Sequence, residues 1–197
     1  YRTLVPTQAY RMTLNLQNPR TGPWQWRGRM VGKSWQNTPS MGDTGARPLQ
    51  GSRLNRVDVR LIHETGQNFS WQSLSIFSFL SPSTEPMPAL AALLRVDIRA
   101  SSQLQASMQF VWFRVEEWEA RIYLHEPSFY YSFSFPCYYG RGQKNSFLLT
   151  LNDLKKITFS AKLSGITYYD RKESGSGADL VNGNRMWETA LQLRLKF

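Results

Sequence analysis

Two histidines, each followed by a glutamate, are the residues of this chain best suited to acid–base chemistry. They are His63, beside Glu64, and His125, beside Glu126. A histidine acts as a general base when a carboxylate orients it or when a serine hydroxyl lies within reach. Adjacent residues of a strand point to opposite faces, so neither histidine can act with its own glutamate. Since no serine or aspartate pairs with either one by spacing, we predict no enzyme activity, no metal site and no cofactor.

Basic side chains are the larger chemical feature, because the chain carries a net charge of +10 over 197 residues. Many of them alternate with apolar residues, as Arg27 and Arg29 do in the segment 24–30, and so share one face of a strand. We predict that the basic residues lining an interior lumen are Arg27, Arg29, Arg60, Arg95, Arg99, Lys162 and Arg194. Such a lumen either conducts or holds an anion, or is a salt-bridged filling with Asp58, Asp97 and Glu188 that transports nothing.

Two weaker signals point to phosphate. Glycine pairs at 140/142 and 175/177 could let backbone N–H groups approach an anion, although loop glycines need no such role. A patch of Tyr138, Tyr139, Arg141 and Lys144 combines aromatic rings with cations. It would stack on and neutralise single-stranded nucleic acid, or equally well contact the phosphates of lipopolysaccharide. The sequence leaves both readings open.

The elements that must position these residues are β-strands, and the last strand, predicted over 187–197, is the most informative. Trp187, Leu191, Leu193, Leu195 and Phe197 point one way, and charged or small residues point the other way. A final strand of about ten residues that ends on an aromatic residue is typical of an outer-membrane β-barrel. These five residues would also form the signal that barrel-assembly machinery recognises.

Aromatic residues near strand ends predict where the membrane interfaces lie. Trp187 and Phe197 would sit at the two lipid–water interfaces, with Tyr169 a further interfacial aromatic at the end of the strand 157–169. Short turns alternate with long polar connections upstream, which is the rhythm of periplasmic turns and external loops. One predicted turn covers 125–128, and an upward strand follows at 129–135.

About eleven strands result, all within one β-barrel region over 1–197 and without a separate soluble domain. Bacterial barrels have an even number of strands. The odd count, and a chain that begins at Tyr1 without a signal peptide, favour the C-terminal portion of a larger barrel. A partial barrel must be closed by further sequence or by another chain.

Composition limits the alternatives. No run approaches the roughly 18 apolar residues of a transmembrane helix, whereas the alternating strands of a barrel dilute hydropathy. Aromatic residues make up 14% of the chain, which suits interfacial girdles. Cys137 is the only cysteine, so no internal disulfide can form. The fold predicted is therefore an all-β, transmembrane antiparallel outer-membrane barrel, and a soluble β-sandwich is the competitor.

The region from residue 121 onward resembles a known family. The segments that carry the resemblance are Arg-Ile-Tyr-Leu-His-Glu at 121–126, Gly-Arg-Gly-Gln at 140–143, Tyr-Asp-Arg-Lys-Glu-Ser-Gly-Ser-Gly at 169–177, Asn-Gly-Asn at 182–184 and Leu-Gln-Leu-Arg-Leu-Lys-Phe at 191–197. In this order they are similar to the C-terminal β-barrel region of bacterial outer-membrane proteins with a helix-hairpin-helix (ComEA-like) domain. The resemblance implies a link to DNA binding or uptake. The helix-hairpin-helix element itself is absent, so no DNA-binding residue is carried over.

These observations together predict a barrel in the outer membrane of a Gram-negative bacterium, with an anchoring or translocation role. The alternative is a non-conducting structural subunit of an outer-membrane export or assembly complex. The expected partners are outer-membrane lipid and lipopolysaccharide, the barrel-assembly machinery, DNA through the resemblance, and other subunits of such a complex.

Overall fold

The computed structural model describes residues 9–19, 21–37, 50–81, 88–152, 156–174 and 181–195, and these residues are all-β. Within these ranges there is no α-helix, and a single 3₁₀ turn spans Trp118–Ala120. The all-β prediction is therefore confirmed. No helix in the described part of the chain is long and apolar enough to cross a bilayer.

Nine long strands form one sheet. They are β1 (Tyr10–Gln17), β2 (Trp24–Asn37), β3 (Gln50–Thr65), β4 (Phe69–Ser81), β5 (Ala89–Arg99), β6 (Leu104–Val115), β9 (Gly140–Leu151), β10 (Ile157–Tyr168) and β13 (Arg185–Leu195). Four strands of two residues each lie outside this sheet, namely β7 (Ile122–Tyr123), β8 (Cys137–Tyr138), β11 (Glu173–Ser174) and β12 (Val181–Asn182). The described residues thus contain thirteen strands where the sequence predicts about eleven.

All neighbouring strands of the sheet are antiparallel, in the order β1-β2-β3-β4-β5-β6-β9-β10-β13. One row of directly opposed residues crosses all nine strands, through Gln17, Arg27, Arg60, Leu74, Leu93, Val111, Lys144, Ile166 and Met186. Directly opposed residues share a face, so this row and the alternation along each strand assign every side chain of the sheet. Among the described residues, β1 and β13 are the two edges.

Short and long connections alternate along the chain. Connections of three to six residues lie at 18–23, 66–68, 100–103 and 152–156, which we call the short-turn rim. Connections of seven to 24 residues lie at 38–49, 82–88, 116–139 and 169–184, which we call the long-connection rim. Antiparallel pairing places each set at one end of the strands. The predicted short turns at 18–23, 65–68 and 152–156 and the predicted long loop at 170–184 are confirmed.

The connection 116–139 folds back over one face of the sheet, and that packing forms the core. We call the face it packs on, which carries Val111 and Phe113, the covered face. We call the opposite one, which carries Met108 and Phe110, the open face. The buried core joins Val111, Phe113 and neighbours on β3 to β6 to Ala120, Ile122, Leu124 and Tyr138 of the connection.

Two predictions for this connection are wrong. Residues 129–135 are not a strand: Tyr131 has a positive φ of 63°, and the Ser132 amide donates to the Phe129 carbonyl in a turn. The segment 125–128 is not a turn at the short-turn rim, because it belongs to the long connection 116–139, in which Glu126 is only 1% exposed. The physical reason is that β6 pairs directly with β9, which leaves no edge for a strand between them.

The strand β9 also begins earlier than predicted. Residues 140–145, expected in a loop, are its first half. The chain can remain in the ladder because Gly142 makes room for the Phe113 ring and for the Thr167 carbonyl, which a side chain at position 142 would meet. The second glycine of the 140/142 pair is thus required by packing. The pair at 175/177 lies outside the described residues.

Candidate functional site

The seven basic residues predicted to line a lumen all lie on the covered face. Arg27 and Arg60 belong to the row that crosses the sheet. The two-residue period of each strand brings the other five onto the same face. They are Arg29, Arg95, Arg99, Lys162 and Arg194. The pattern grouped these residues as the structure does. Enclosure of that face in a lumen stays a prediction.

Some of these cations are paired with acids on the same face. Arg29 forms an ion pair with Asp58, whose side chain is buried. Arg95 Nε lies 2.8 Å from Asp97 Oδ2, and the Ser107 hydroxyl also donates to that carboxylate. In the described ranges neither Arg27 nor Arg60 has such a partner, although the two are directly opposed on β2 and β3.

A buried ion cluster joins the connection to β9 and β10. The Glu126 carboxylate accepts from Lys144 Nζ at 2.9 Å and from Lys162 Nζ at 2.8 Å. The Ser146 hydroxyl donates to the same carboxylate, and the Ser134 hydroxyl donates to it at 2.8 Å. All five side chains therefore act as one polar network, with Glu126 at its centre. We call it the Glu126 cluster.

Hydrogen bonding keeps Glu126 ionised in spite of its burial. Burial alone raises the pKa of a carboxyl group, because it penalises the charged form. The hydrogen bonds from Lys162, Ser146 and Lys144 outweigh burial here and hold the pKa of Glu126 at about 2. The Glu126 cluster contains one carboxylate and two ammonium groups, so the cluster as a whole carries a net positive charge. That charge matches the basic character of the whole face.

Further contacts fix the connection over the sheet. The Arg56 guanidinium, on β3, donates to the carbonyls of Ala120 and Arg121 at 3.4 and 3.1 Å. At the β13 edge of the same face, Gln192 donates to the Tyr130 carbonyl at 3.2 Å. The Arg194 guanidinium lies 4.2 Å from the centre of the Tyr130 ring. The connection is therefore held from β3, from β9 and β10, and from β13.

Sequence reasoning missed the Glu126 cluster. The available signal was that Lys144 and Lys162 both fall on buried-face positions of their strands, while those strands offer no acid nearby. A buried lysine needs an anionic partner, so an acid from a connection had to supply it. Glu126 was the acid followed by Pro127, in a segment read as a turn.

The two histidines lie apart. His63 is on the open face, where its Nε2 is 2.8 Å from the Thr65 hydroxyl and its ring is 4.1 Å from that of Trp24. His125 lies in the connection, with Nδ1 3.5 Å from an Arg95 nitrogen. Partial burial and the Arg95 cation lower the pKa of His125 below its ordinary value. Neither histidine contacts a carboxylate in the described residues.

The predicted interfacial and assembly-signal residues lie mostly on the open face. Trp187, Leu191, Leu193 and Leu195 alternate along β13 and are 51% to 68% exposed. Tyr169 follows the end of β10 and is exposed at the long-connection rim. Phe197 lies outside the described residues.

The Trp187 ring has one specific contact. It lies against Gly165 on the directly opposed position of β10, where an added Cβ would come within 2.7 Å of the ring. A glycine covered by a cross-strand aromatic is a recognised way to keep a strand regular.

The predicted aromatic and basic patch for nucleic acid is wrong as a surface. Tyr138 is fully buried against Phe113, with ring centres 5.1 Å apart. Lys144 is committed to Glu126. Arg141 is bound to Glu116, and Tyr139 packs on the connection's own Trp118. The reason is that residues 140–145 are a strand, which sends alternate side chains to opposite faces.

A rim contact ties two loops together. The Arg171 guanidinium donates to the Tyr139 carbonyl at 3.2 Å and lies 4.1 Å from the centre of the Tyr168 ring. Asp170 accepts from Arg171 and from the Arg141 amide. Burial by itself raises the pKa of Asp170, but these hydrogen bonds outweigh it and leave the pKa below its usual value. The start of the connection 169–184 is thereby fixed against β9.

No group of three or more His, Cys, Asp or Glu side chains is placed to hold a metal ion in the described ranges. No protein-family model matches the chain, and no curated protein or solved structure is detectably similar to it. The resemblance to the helix-hairpin-helix family therefore stays a prediction.

Proposed function

We propose that this chain is the membrane-embedded region of an outer-membrane β-barrel protein of a Gram-negative bacterium, with a role in anchoring or translocation. One observation carries the proposal: the face of the sheet that is left open is mostly apolar. The covered face, by contrast, combines the apolar core with the buried charges of Lys144 and Lys162. A soluble β-sandwich places its charges outward and its apolar side chains inward.

The apolar surface is large and contiguous. Every large apolar side chain that is exposed on the nine described strands of the sheet lies on the open face. They include Met12, Leu14, Leu16, Met30, Val59, Leu94, Ile98, Met108, Phe110, Phe147, Leu163, Leu191 and Leu193. Soluble monomers rarely expose contiguous apolar patches beyond a few hundred Å². Lipid acyl chains would cover this face without a partner protein.

Most aromatic residues on the open face lie towards the two ends of the strands, while Phe110 and Phe147 lie near the middle. Trp24, Trp26 and Phe69 lie near the short-turn rim, and Phe79 and Trp187 lie near the long-connection rim. Ten residues separate Phe69 from Phe79, which at about 3.3 Å per residue and a tilt of about 40° is roughly 25 Å of membrane depth. That depth matches the apolar band of a barrel.

Charges on the open face support an orientation. Across the described strands it carries four cations and no acid, and the four are Arg53, Arg114, Arg141 and Arg185. Each lies within four residues of the strand end that joins a long connection. Long connections face outside in such barrels. Arg114 and Arg141 pair with Glu116, whereas Arg53 and Arg185 would meet the phosphates of lipopolysaccharide in the outer leaflet.

The test is membrane partition of the full-length chain, with heat-modifiable gel mobility as the readout. We expect the protein in the outer-membrane fraction, with a shift on boiling. Met108→Arg, in the middle of the open face, should cost about 2–4 kcal/mol of membrane stability and reduce the unboiled form. Arg114→Lys, on the same face at the rim, is the matched control. A protein that stays soluble without detergent would refute the proposal.

A second candidate function is a non-conducting structural subunit of an outer-membrane export or assembly complex. The observation that favours it is the connection 116–139, which is fixed across the covered face by the Glu126 cluster and by Arg56. Conductance in planar bilayers separates the two: a translocating barrel carries current, and a filled structural barrel carries none. A link to DNA rests on the family resemblance alone.

A further inference from the structure

Six basic side chains line the covered face of β1, β2 and β3. They are Arg11, Lys33, Arg56, Arg29, Arg27 and Arg60, in order from the long-connection rim to the short-turn rim. We call this row the cation track. In the described residues of these three strands, the covered face has two acids, Asp58 within the track and Glu64 at its short-turn end.

The track contains two direct like-charge pairs. Arg11 is opposed to Lys33 on β1 and β2, and Arg27 is opposed to Arg60 on β2 and β3. Directly opposed side chains have Cβ atoms about 4.5–5.5 Å apart, and like charges there are destabilising. None of these four residues has a hydrogen bond or an ion pair with another described residue.

The two cations between the pairs are satisfied. Arg29 is bound to Asp58, and Arg56 donates to Ser78 at 2.9 Å and to carbonyls of the connection. The uncompensated charge is therefore concentrated at two places along the track.

The connection adds charge at the long-connection end. Arg121 joins Arg11 and Lys33 around a cleft of about 430 Å³, which Glu119 also lines. The positive charges of Arg11, Arg56 and Arg121 all act on the Lys33 ammonium. An anionic group in this cleft would meet three cations and one carboxylate.

The length of the track indicates an extended ligand. Lys33 and Arg27 are six residues apart on β2, which is about 20 Å at 3.3 Å per residue. A single small anion would contact one end, whereas a chain of anionic groups would contact both. Guanidinium groups bind phosphate oxygens in a bidentate manner, which favours phosphate over a single carboxylate.

The track carries few aromatic rings. Trp35 and Tyr10 line the cleft at its long-connection end, where Trp35 packs against the core. Between Lys33 and Arg27 the covered face of β2 carries only Val31 and Arg29, and between Arg56 and Arg60 that of β3 carries only Asp58. Proteins that hold single-stranded nucleic acid through its bases stack them on aromatic rings. The track is therefore suited to read phosphate charge and not bases.

We propose that the cation track binds an extended phosphate polyanion along the inner wall of the barrel, by charge alone. The inference rests on the proposed function, since the covered face is the inner wall only if the sheet belongs to a barrel. It deepens that function by naming the substrate class. Phosphate groups would bridge Arg27 to Arg60 and Arg11 to Lys33, and so relieve both like-charge pairs.

The experiment uses the full-length chain in detergent micelles. Linear inorganic polyphosphate is the probe, and orthophosphate is the comparison ligand with a single phosphate group. Affinity is measured over a series of salt concentrations. Several simultaneous contacts should make the polyphosphate affinity exceed that of orthophosphate by about 10²-fold or more. Arg27→Gln combined with Arg60→Gln should weaken polyphosphate binding at least tenfold. The loss of two phosphate contacts should also lower the slope of log affinity against log salt by about 1.4.

The matched control is Lys156→Gln combined with Lys172→Gln, which removes the same charge from exposed residues of two connections outside the track and should change the affinity less than twofold. If the first double variant does not fold, Arg11→Gln combined with Lys33→Gln tests the other end. Equal losses in the track and control variants would overturn the proposal. So would polyphosphate affinity no better than that of orthophosphate, or an oligodeoxynucleotide of equal charge that binds more than tenfold tighter.

Heat-modifiable mobility of the same samples separates two failures. A folded, heat-modifiable protein that binds no polyphosphate refutes only the cation track. A protein that is not heat-modifiable and does not partition into membranes refutes the barrel itself, whatever it binds.

Discussion

Removal of the Glu126 carboxylate should release the connection 116–139 from the sheet. In Glu126→Gln, Lys144 and Lys162 keep their buried positions but lose the anion that lies 2.9 and 2.8 Å from them. Loss of one partner from a buried ion pair destabilises by about 3–5 kcal/mol, because the remaining charge is left uncompensated. We expect the loss to fall on the connection more than on the strands, whose ladders are unchanged.

The pKa of Glu126 gives an independent magnitude. It falls from 4.5 to about 2 on folding. A shift of that size corresponds to about 3 kcal/mol of stabilisation at neutral pH. Because the folded pKa is the lower one, this stabilisation is complete above pH about 4.5 and is lost as the pH falls towards 2. Acidification of the unmodified protein should therefore reproduce the effect of Glu126→Gln within that window.

Hydrogen exchange in detergent micelles, read by mass spectrometry, measures the effect directly. Peptides from 116–139 should lose about 100-fold of protection in Glu126→Gln at neutral pH, and peptides from β3 and β4 should change little. Glu119→Gln, an exposed acid of the same connection, is the control and should leave protection unchanged. Equal protection in the two variants would refute the assigned role of the Glu126 cluster.

Three further predictions follow from other contacts. Gly165→Val should destabilise the protein by about 1–3 kcal/mol by displacing the Trp187 ring, and Trp187→Ala in the same chain should recover part of the loss, as thermal unfolding of the heat-modifiable form would measure. Asp170→Asn should cost about 0.5 kcal/mol, since its ion pair is near the surface, and should speed proteolysis of 169–174. If the barrel conducts, Arg27→Glu combined with Arg60→Glu should lower its preference for chloride over potassium in bilayer recordings; an unchanged reversal potential would contradict a role of that pair in the ion path.

Periodicity in the sequence was sufficient for the strands and their faces. The alternation in 187–195 and 157–168 matches β13 and β10, and the basic residues chosen by the same rule share one face. This succeeds because a regular antiparallel ladder without bulges keeps the two-residue period along every strand. Each of the eight pairs of neighbouring strands keeps a single antiparallel register along its whole paired length.

The same rule failed in the connection 116–139. The aromatic residues alternate there as they would in a strand, at Phe129, Tyr131, Phe133 and Phe135. None of the four belongs to a ladder, and Tyr131 and Phe133 are 87% and 84% exposed. Alternation indicates which residues could share a face, but a strand also needs a free edge with which to pair. No such edge exists between β6 and β9, because these two strands pair with each other. The Glu126 cluster was hidden for a related reason. It joins residues up to 36 positions apart, which no local period can reveal.

The placement of the connection bears on which proposed role is physically coherent. The Glu126 cluster holds it against β9 and β10, and Arg56 and Gln192 hold it from β3 and β13. A path that required the connection to leave would have to break all of these contacts. The cation track, however, lies on β1 to β3, near the edge of the sheet that is farther from β9 and β10. A translocation role thus needs no release of the connection along most of the track. It requires only passage beside it at Arg56 and Arg121, where the connection and the track meet. A polyanion and the connection would compete for Arg56 at that place, so Arg56→Gln should alter both the polyphosphate affinity and the protection of 116–139 against hydrogen exchange.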